Sequence, residues 1–186
     1  GGWLAREFGT LDFAGGLVVQ TSAGVSALVA TIIMGNRNGF RETHVIPHAP
    51  LLSMAGAALL WVGWFGLAGG SALAATDDAA SAIINTHVAA CTAALVWLLI
   101  ERIGNGKTTS SGWASGALAG LAAISPAALY ISPGASILFG ALASVVCFGA
   151  MLQIRRWGID DAASVFAING VGGMLGTLLL GLFVSS

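Results

Sequence analysis

Charge is what this 186-residue sequence has least of: Asp, Glu, Lys and Arg make up 8% of it, against about a quarter in a soluble globular domain. A water-facing surface cannot be built from so few. The seven Lys and Arg residues form no cluster and the formal net charge is −1, which excludes nucleic acid as a partner, because phosphate binding needs a basic face. Cys91 and Cys147 sit singly inside apolar stretches, so no disulfide framework is expected. The sequence holds no nucleophile–base–acid set, so neither enzyme activity nor a cofactor is expected. What it has in excess is apolar character, with 56% hydrophobic residues and a mean hydropathy of +0.88. A membrane-spanning helix takes about 20 mainly apolar residues. Six such runs fit, at about 12–34, 50–74, 80–100, 113–130, 133–154 and 161–184. The expected fold is therefore an all-α, multi-pass membrane protein with six transmembrane helices. The sequence opens on Gly-Gly-Trp and stops at Ser186 directly after an apolar run, so it reads as part of a longer chain.

The few charges are distributed with a clear bias. Arg37 and Arg41 fall in the first connection between spans, Arg102 and Lys107 in the third, and Arg155 and Arg156 in the fifth. Odd-numbered connections share one face, and the positive-inside rule places that face in the cytoplasm. The other face carries Asp77, Asp78 and Arg6. Cysteines introduced at Arg37, Lys107 and Arg155 are accordingly expected to resist an impermeant thiol reagent applied from outside. Labelling of any of the three from outside would overturn the orientation.

Two spans share a pattern. The first runs from Asp12 to Gln20 and Gly24, the last from Asp161 to Asn169 and Gly173. In each, an acid able to cap a helix start by accepting backbone N–H groups precedes an amide by eight residues, and a glycine follows four later. Eight residues at 1.5 Å each set the amide about 12 Å down the helix, near the bilayer midplane. The two spans run in opposite directions, so the repeat is inverted. That is the plan of many transporters, whose sites lie at mid-membrane where the repeats meet. A lone amide there would be read as an interhelical hydrogen bond; two at matching depth favour a pore lining. Small-xxx-small strings at Gly112/Gly116/Gly120, Gly66/Gly70 and Gly172/Gly176 are read as tight helix packing.

The strings Leu11-Asp-Phe-Ala-Gly-Gly-Leu-Val-Val, Gly63-Trp-Phe-Gly-Leu-Ala-Gly-Gly-Ser71, Ile84-Asn-Thr86, Ser115-Gly-Ala-Leu-Ala-Gly-Leu and Asp160-Asp161…Val165-Phe-Ala-Ile-Asn-Gly-Val-Gly-Gly resemble the ammonium transporters, the Amt/Mep/Rh group. They follow the family's order over almost the whole chain. The resemblance implies the fifth to tenth helices of an eleven-helix inverted-repeat subunit, assembled as a homotrimer with one pore per subunit. It implies ammonium or ammonia as the transported species, and a plasma or inner membrane as the location. By that similarity Asp12 supports the outer ammonium site, Ser71 supplies an outer hydroxyl, and Trp64 lines the substrate path. Gln20 and Asn169 occupy the positions of the paired pore histidines, Leu67 that of a gating phenylalanine, and Ser164 that of an acid after Asp161, the inner helix cap. A carboxamide does not titrate, whereas imidazole does near neutral pH. The resemblance therefore leaves three readings: a transporter, an ammonium sensor with a fused cytoplasmic signalling domain, or a non-conducting subunit of a trimer. A cytoplasmic regulatory protein is a further implied partner.

Other signals carry less. His87, the one histidine within a span, reads as an interhelical contact rather than a substitute pore histidine. His44 and His48 lie in a loop short of metal ligands. The string Gly104-Asn-Gly-Lys-Thr108 lacks the first glycine and the preceding strand of a phosphate loop. Trp61, Trp64, Trp97, Trp113 and Trp157 read as an interfacial aromatic belt.

Overall fold

The computed structural model describes residues 2–40 and 48–184; Arg41 and His44 lie outside them. Among the described residues every regular element is a helix. A short α1 (Trp3–Phe8) comes first. Two of the later helices begin with a π-helical turn: Gly16–Thr21 leads into α2 (Ser22–Met34), and Phe166–Gly170 leads into α7 (Val171–Val184). Between them run α3 (Pro50–Gly70), α4 (Asp77–Asn105), α5 (Ser110–Ile124) and α6 (Pro133–Arg156). Prolines open α3 and α6, where a missing N–H costs nothing and the fixed φ suits a helix start.

Five segments are long and apolar enough to cross a membrane: Gly16–Met34, Pro50–Gly70, Asp77–Asn105, Pro133–Arg156 and Phe166–Phe183. The fourth expected span differs. Instead of one run over 113–130, α5 has 15 residues and the chain turns over 125–130. Pro126 accounts for the stop, because it has no N–H to donate to the carbonyl four residues back and its ring crowds that turn, even though Ser125 keeps helical geometry. The turn closes on itself through Ala127 N–H to the Ile124 carbonyl and Tyr130 N–H to the Ala127 carbonyl, each 2.9 Å. A shorter helix is sufficient here because α5 lies inside the bundle, against α3, α4, α6 and α7, and has little lipid to face.

Small residues set the helix spacing around α5. A side chain at Gly120 would run into the Ala89 carbonyl and Ala93, one at Gly116 into Trp97, and one at Gly176 into the Ala123 carbonyl. Gly66 and Gly70 behave otherwise: nothing lies within 4 Å of a side chain built there, so that string packs no helix among the described residues. Trp97 departs from the aromatic belt as well. It is 1% exposed and packs edge-on to Phe148, with ring centroids 5.2 Å apart, because the small residues of α5 leave a large side chain of α4 room in the core. Trp61 sits near the middle of α3, against Trp113 at 6.1 Å.

One end of the bundle is tied by polar groups. Asp160 receives the Arg37 guanidinium at 3.0 Å and the Arg37 backbone N–H at 3.1 Å. Asn36 donates to the Gly158 carbonyl at 2.8 Å and accepts from the Asp160 N–H at 3.2 Å. The chain leaving α2 is thus fastened to the chain entering the last π turn, which makes α2 and α7 antiparallel. At the α4–α5 corner, buried Glu101 accepts the Thr109 N–H at 2.8 Å. The Gly104–Thr108 stretch includes the helix stop, with Gly106 left-handed at φ 71° and its carbonyl bonded to Arg102 at 2.6 Å.

Candidate functional site

The two spans that share a sequence pattern also share a local structure. The Asp12 carboxylate accepts the backbone N–H groups of Gly16 (2.6 Å), Leu17 (3.0 Å) and Val18 (3.0 Å). The Asp161 carboxylate accepts those of Val165 (2.9 Å) and Ala167 (3.2 Å). A helix start leaves such donors without partners, and a carboxylate both satisfies them and answers the positive end of the helix dipole. Each capped start contains a left-handed residue, Gly15 at φ 87° and Ser164 at φ 52°. Each then enters a π turn, as in the Gln20 N–H bond to the Gly15 carbonyl at 2.9 Å. Gln20 lies in the first π turn and Asn169 in the second.

The π turns cross one another through glycines placed in register. A side chain at Gly24 would overlap the backbone of Gly170 and approach that of Asn169. A side chain at Gly173 would overlap the Gly16 carbonyl and press on Gln20 and Thr21. The contact is reciprocal: the glycine four residues after each amide seats the turn that carries the other amide. Gln20 is buried and Asn169 half-buried. Neither carboxamide has a hydrogen-bond partner among the described residues, so both keep donor and acceptor capacity for a small polar species.

The α3 residues stand at the same end as Asp12. The indole N–H of Trp64 donates to the Ser125 hydroxyl at 3.0 Å, and that hydroxyl donates to the Leu121 carbonyl at 2.8 Å. Ser71 caps the end of α3 and donates to the Leu67 carbonyl at 2.8 Å. Leu67 and Trp64 line an open apolar groove of about 440 Å³ with Gly56, Leu59, Leu60 and Gly63. The Asp12 segment is held against the α5 turn, with the Phe13 N–H on the Pro126 carbonyl (3.1 Å) and the Ala14 N–H on the Ser125 carbonyl (2.9 Å). His87 lies apart from these groups: its ring packs tilted on Trp61 and edge-on to Phe65, with centroids 5.5 and 5.6 Å apart, and Cys91 Sγ is 3.7 Å from its Nε2. His87 therefore makes an interhelical aromatic contact. No group of three or more metal-ligating side chains occurs among the described residues.

Five long apolar helices, with two capped π turns crossing through glycines, define a polytopic helical membrane protein of the transporter class. The profile of the Ammonium Transporter Family matches residues 1–186, and the chain belongs to that family. It is 46% identical to the ammonium transporter Amt1 of Archaeoglobus fulgidus over 185 residues, covering 100% of this chain and 47% of that one. It is 47% identical to an ammonium transporter of Aquifex aeolicus over 184 residues, 98% of this chain and 43% of that one. Among solved structures, Saccharomyces cerevisiae Mep2 matches with a TM-score of 0.90 at 35% identity, covering 98% of this chain and 42% of that one. A structure described as a sensor Amt protein matches with a TM-score of 0.90 at 31% identity, covering 98% and 46%. The chain thus spans about half the length of the relatives it matches.

Proposed function

We propose that the full protein moves ammonium or ammonia across a plasma or inner membrane, and that this chain supplies one side of the path. The observation that carries the reading is the reciprocal crossing of the two capped π turns, which holds Gln20 and Asn169 on facing antiparallel segments. Both carboxamides are left without a protein partner among the described residues, and a passing ammonia or water can exchange hydrogen bonds with them. Asp12, Ser71 and Trp64 form the outer approach, Leu67 an apolar constriction, and Asp161 the cap that fixes the inner π turn. The paired capped segments are read as an inverted repeat, the subunit as part of a homotrimer, and a cytoplasmic protein as its regulator.

Asp12 acts through the backbone it orders and through its charge. Asp12→Asn keeps the size, loses the charge, and weakens a cap worth about 0.5–2 kcal/mol. The full-length variant in proteoliposomes is expected to need about tenfold more ammonium for half-maximal ammonia-driven alkalinisation, the scale of about 1.4 kcal/mol. Wild-type vesicles no faster than protein-free ones would contradict the transport reading, and an unchanged half-saturation in Asp12→Asn would contradict the role of Asp12.

A second reading, sensing in place of bulk transport, is favoured by one feature: neither Gln20 nor Asn169 titrates, so neither can relay a proton by changing charge. The likeness to the sensor structure agrees with it. A signalling domain encoded beyond Ser186, together with ammonium binding without flux, would support sensing over transport.

A further inference from the structure

We infer that Asn85, which does not touch Asp12 but holds the turn that follows α5, is a positioning residue for the outer ammonium site; this rests on the functional reading above. Asn85 is 1% exposed on α4. Its side-chain NH₂ donates to two carbonyls, Ala128 at 2.8 Å and Ile131 at 2.7 Å. Both acceptors are backbone oxygens, so the group facing them must be the NH₂, a neutral side-chain terminus that offers two donors from one atom. Its own Oδ1 has no partner among the described residues. The amide thus satisfies two carbonyls of the segment after Pro126 while its own Oδ1 goes without a partner there.

That task extends to the site. The turn pinned by Asn85 presents the Ser125 and Pro126 carbonyls, which hold the Ala14 and Phe13 N–H groups at 2.9 and 3.1 Å. The Pro126 ring fills the space beside Gly16, where no side chain would fit. Tyr130 packs edge-on against Phe13 with centroids 6.2 Å apart. The hydroxyl of Ser125 receives the indole N–H of Trp64. A single turn therefore sets the segment that follows Asp12 and the indole of α3 relative to each other, and Asn85 sets the turn. Without its two donors the turn loses its hydrogen bonds to α4, and the segment after Asp12 and the Trp64 indole lose the fixed base they share.

Asn85→Asp is the discriminating change, since it keeps size and leaves no cavity but turns acceptor oxygens toward two carbonyls. Asn85→Leu serves if the aspartate does not fold. Ser144→Ala is the control, because Ser144 is also fully buried and also bonds a backbone carbonyl, that of Ala93, but does not touch the turn. In the full-length protein, the Asn85 variants are expected to speed amide exchange at Phe13 and Ala14. They are also expected to raise half-saturation by ammonium about tenfold with maximal flux changed far less, as loss of a preorganised site dictates; Ser144→Ala should do neither. Unchanged exchange at Phe13 and Ala14 overturns the inference, as do faster exchange with unchanged half-saturation and the same pattern in Ser144→Ala. A wild-type protein indifferent to ammonium would instead defeat the functional reading, and the exchange measurement would still decide whether Asn85 holds the Asp12 segment.

Discussion

Gly24→Leu and Gly173→Leu are each expected to prevent the full-length protein from reaching a monodisperse folded state in detergent, and Gly24→Ala and Gly173→Ala to lower its thermal midpoint clearly. The reason is where the added atoms would go. At Gly24 a Cβ meets the Cα and N of Gly170, and at Gly173 it meets the Gly16 carbonyl oxygen. These are backbone atoms of a neighbouring segment and cannot rotate away as a side-chain tip would. Forcing one methyl into a packed core costs about 1–3 kcal/mol, and four carbons between two crossing backbones would separate the π turns altogether. Gly149→Ala is the matched comparison: nothing lies within 4 Å of the added carbon, so the helix-propensity gain of about 1 kcal/mol is free to appear. A Gly24→Leu protein as stable as wild type would show that the crossing is not tight.

The second large effect concerns the two carboxamides. Gln20→His together with Asn169→His is expected to raise the ammonium-evoked current of the full-length protein by at least about tenfold, since positioned acid–base groups contribute factors of 10²–10⁴ where protons move. Imidazole exchanges protons between about pH 5 and 8, and a carboxamide does not. The positions suit the exchange: Gln20 is buried beside Gly173, Asn169 lies beside Gly24, and neither amide holds a bond among the described residues that the ring would break. Either histidine alone should give a much smaller rise, because a relay across two crossing turns needs a titrating group on both.

The elements of this crossing were unequally legible. The spacing Asp12–Gln20–Gly24 and Asp161–Asn169–Gly173 stands in the sequence, and the structure has a capped segment at each, because a carboxylate, an amide and a missing side chain each leave a residue type behind. The π turns leave no such trace, since one widened hydrogen-bonded ring suits the same apolar residues as an α-helix. Left-handed Ser164 is equally silent, serine being ordinary in a loop. The early stop of α5 was carried by Pro126, but the Ala-Ala-Leu-Tyr stretch after it is as apolar as the helix, so a hydropathy reading runs straight through. Trp97 obeyed packing rather than the interfacial preference of tryptophan, which only the small residues of α5 make possible. Asn85 was visible only as part of a family string, because its partners are carbonyls 43 and 46 residues away and any residue type can supply a carbonyl.

In the transport reading proposed above, ammonium nitrogen crosses a path whose mid-membrane groups cannot carry a proton by titrating. The ratio of charge moved to ammonia delivered tests it most directly, measured on the same proteoliposomes of full-length wild type by capacitive current and by trapped-dye alkalinisation. Ammonia delivery clearly above that of protein-free vesicles, with a current far below one charge per nitrogen, is the expected result. A current near one charge per nitrogen in wild type, left unchanged by Gln20→His with Asn169→His, would contradict it.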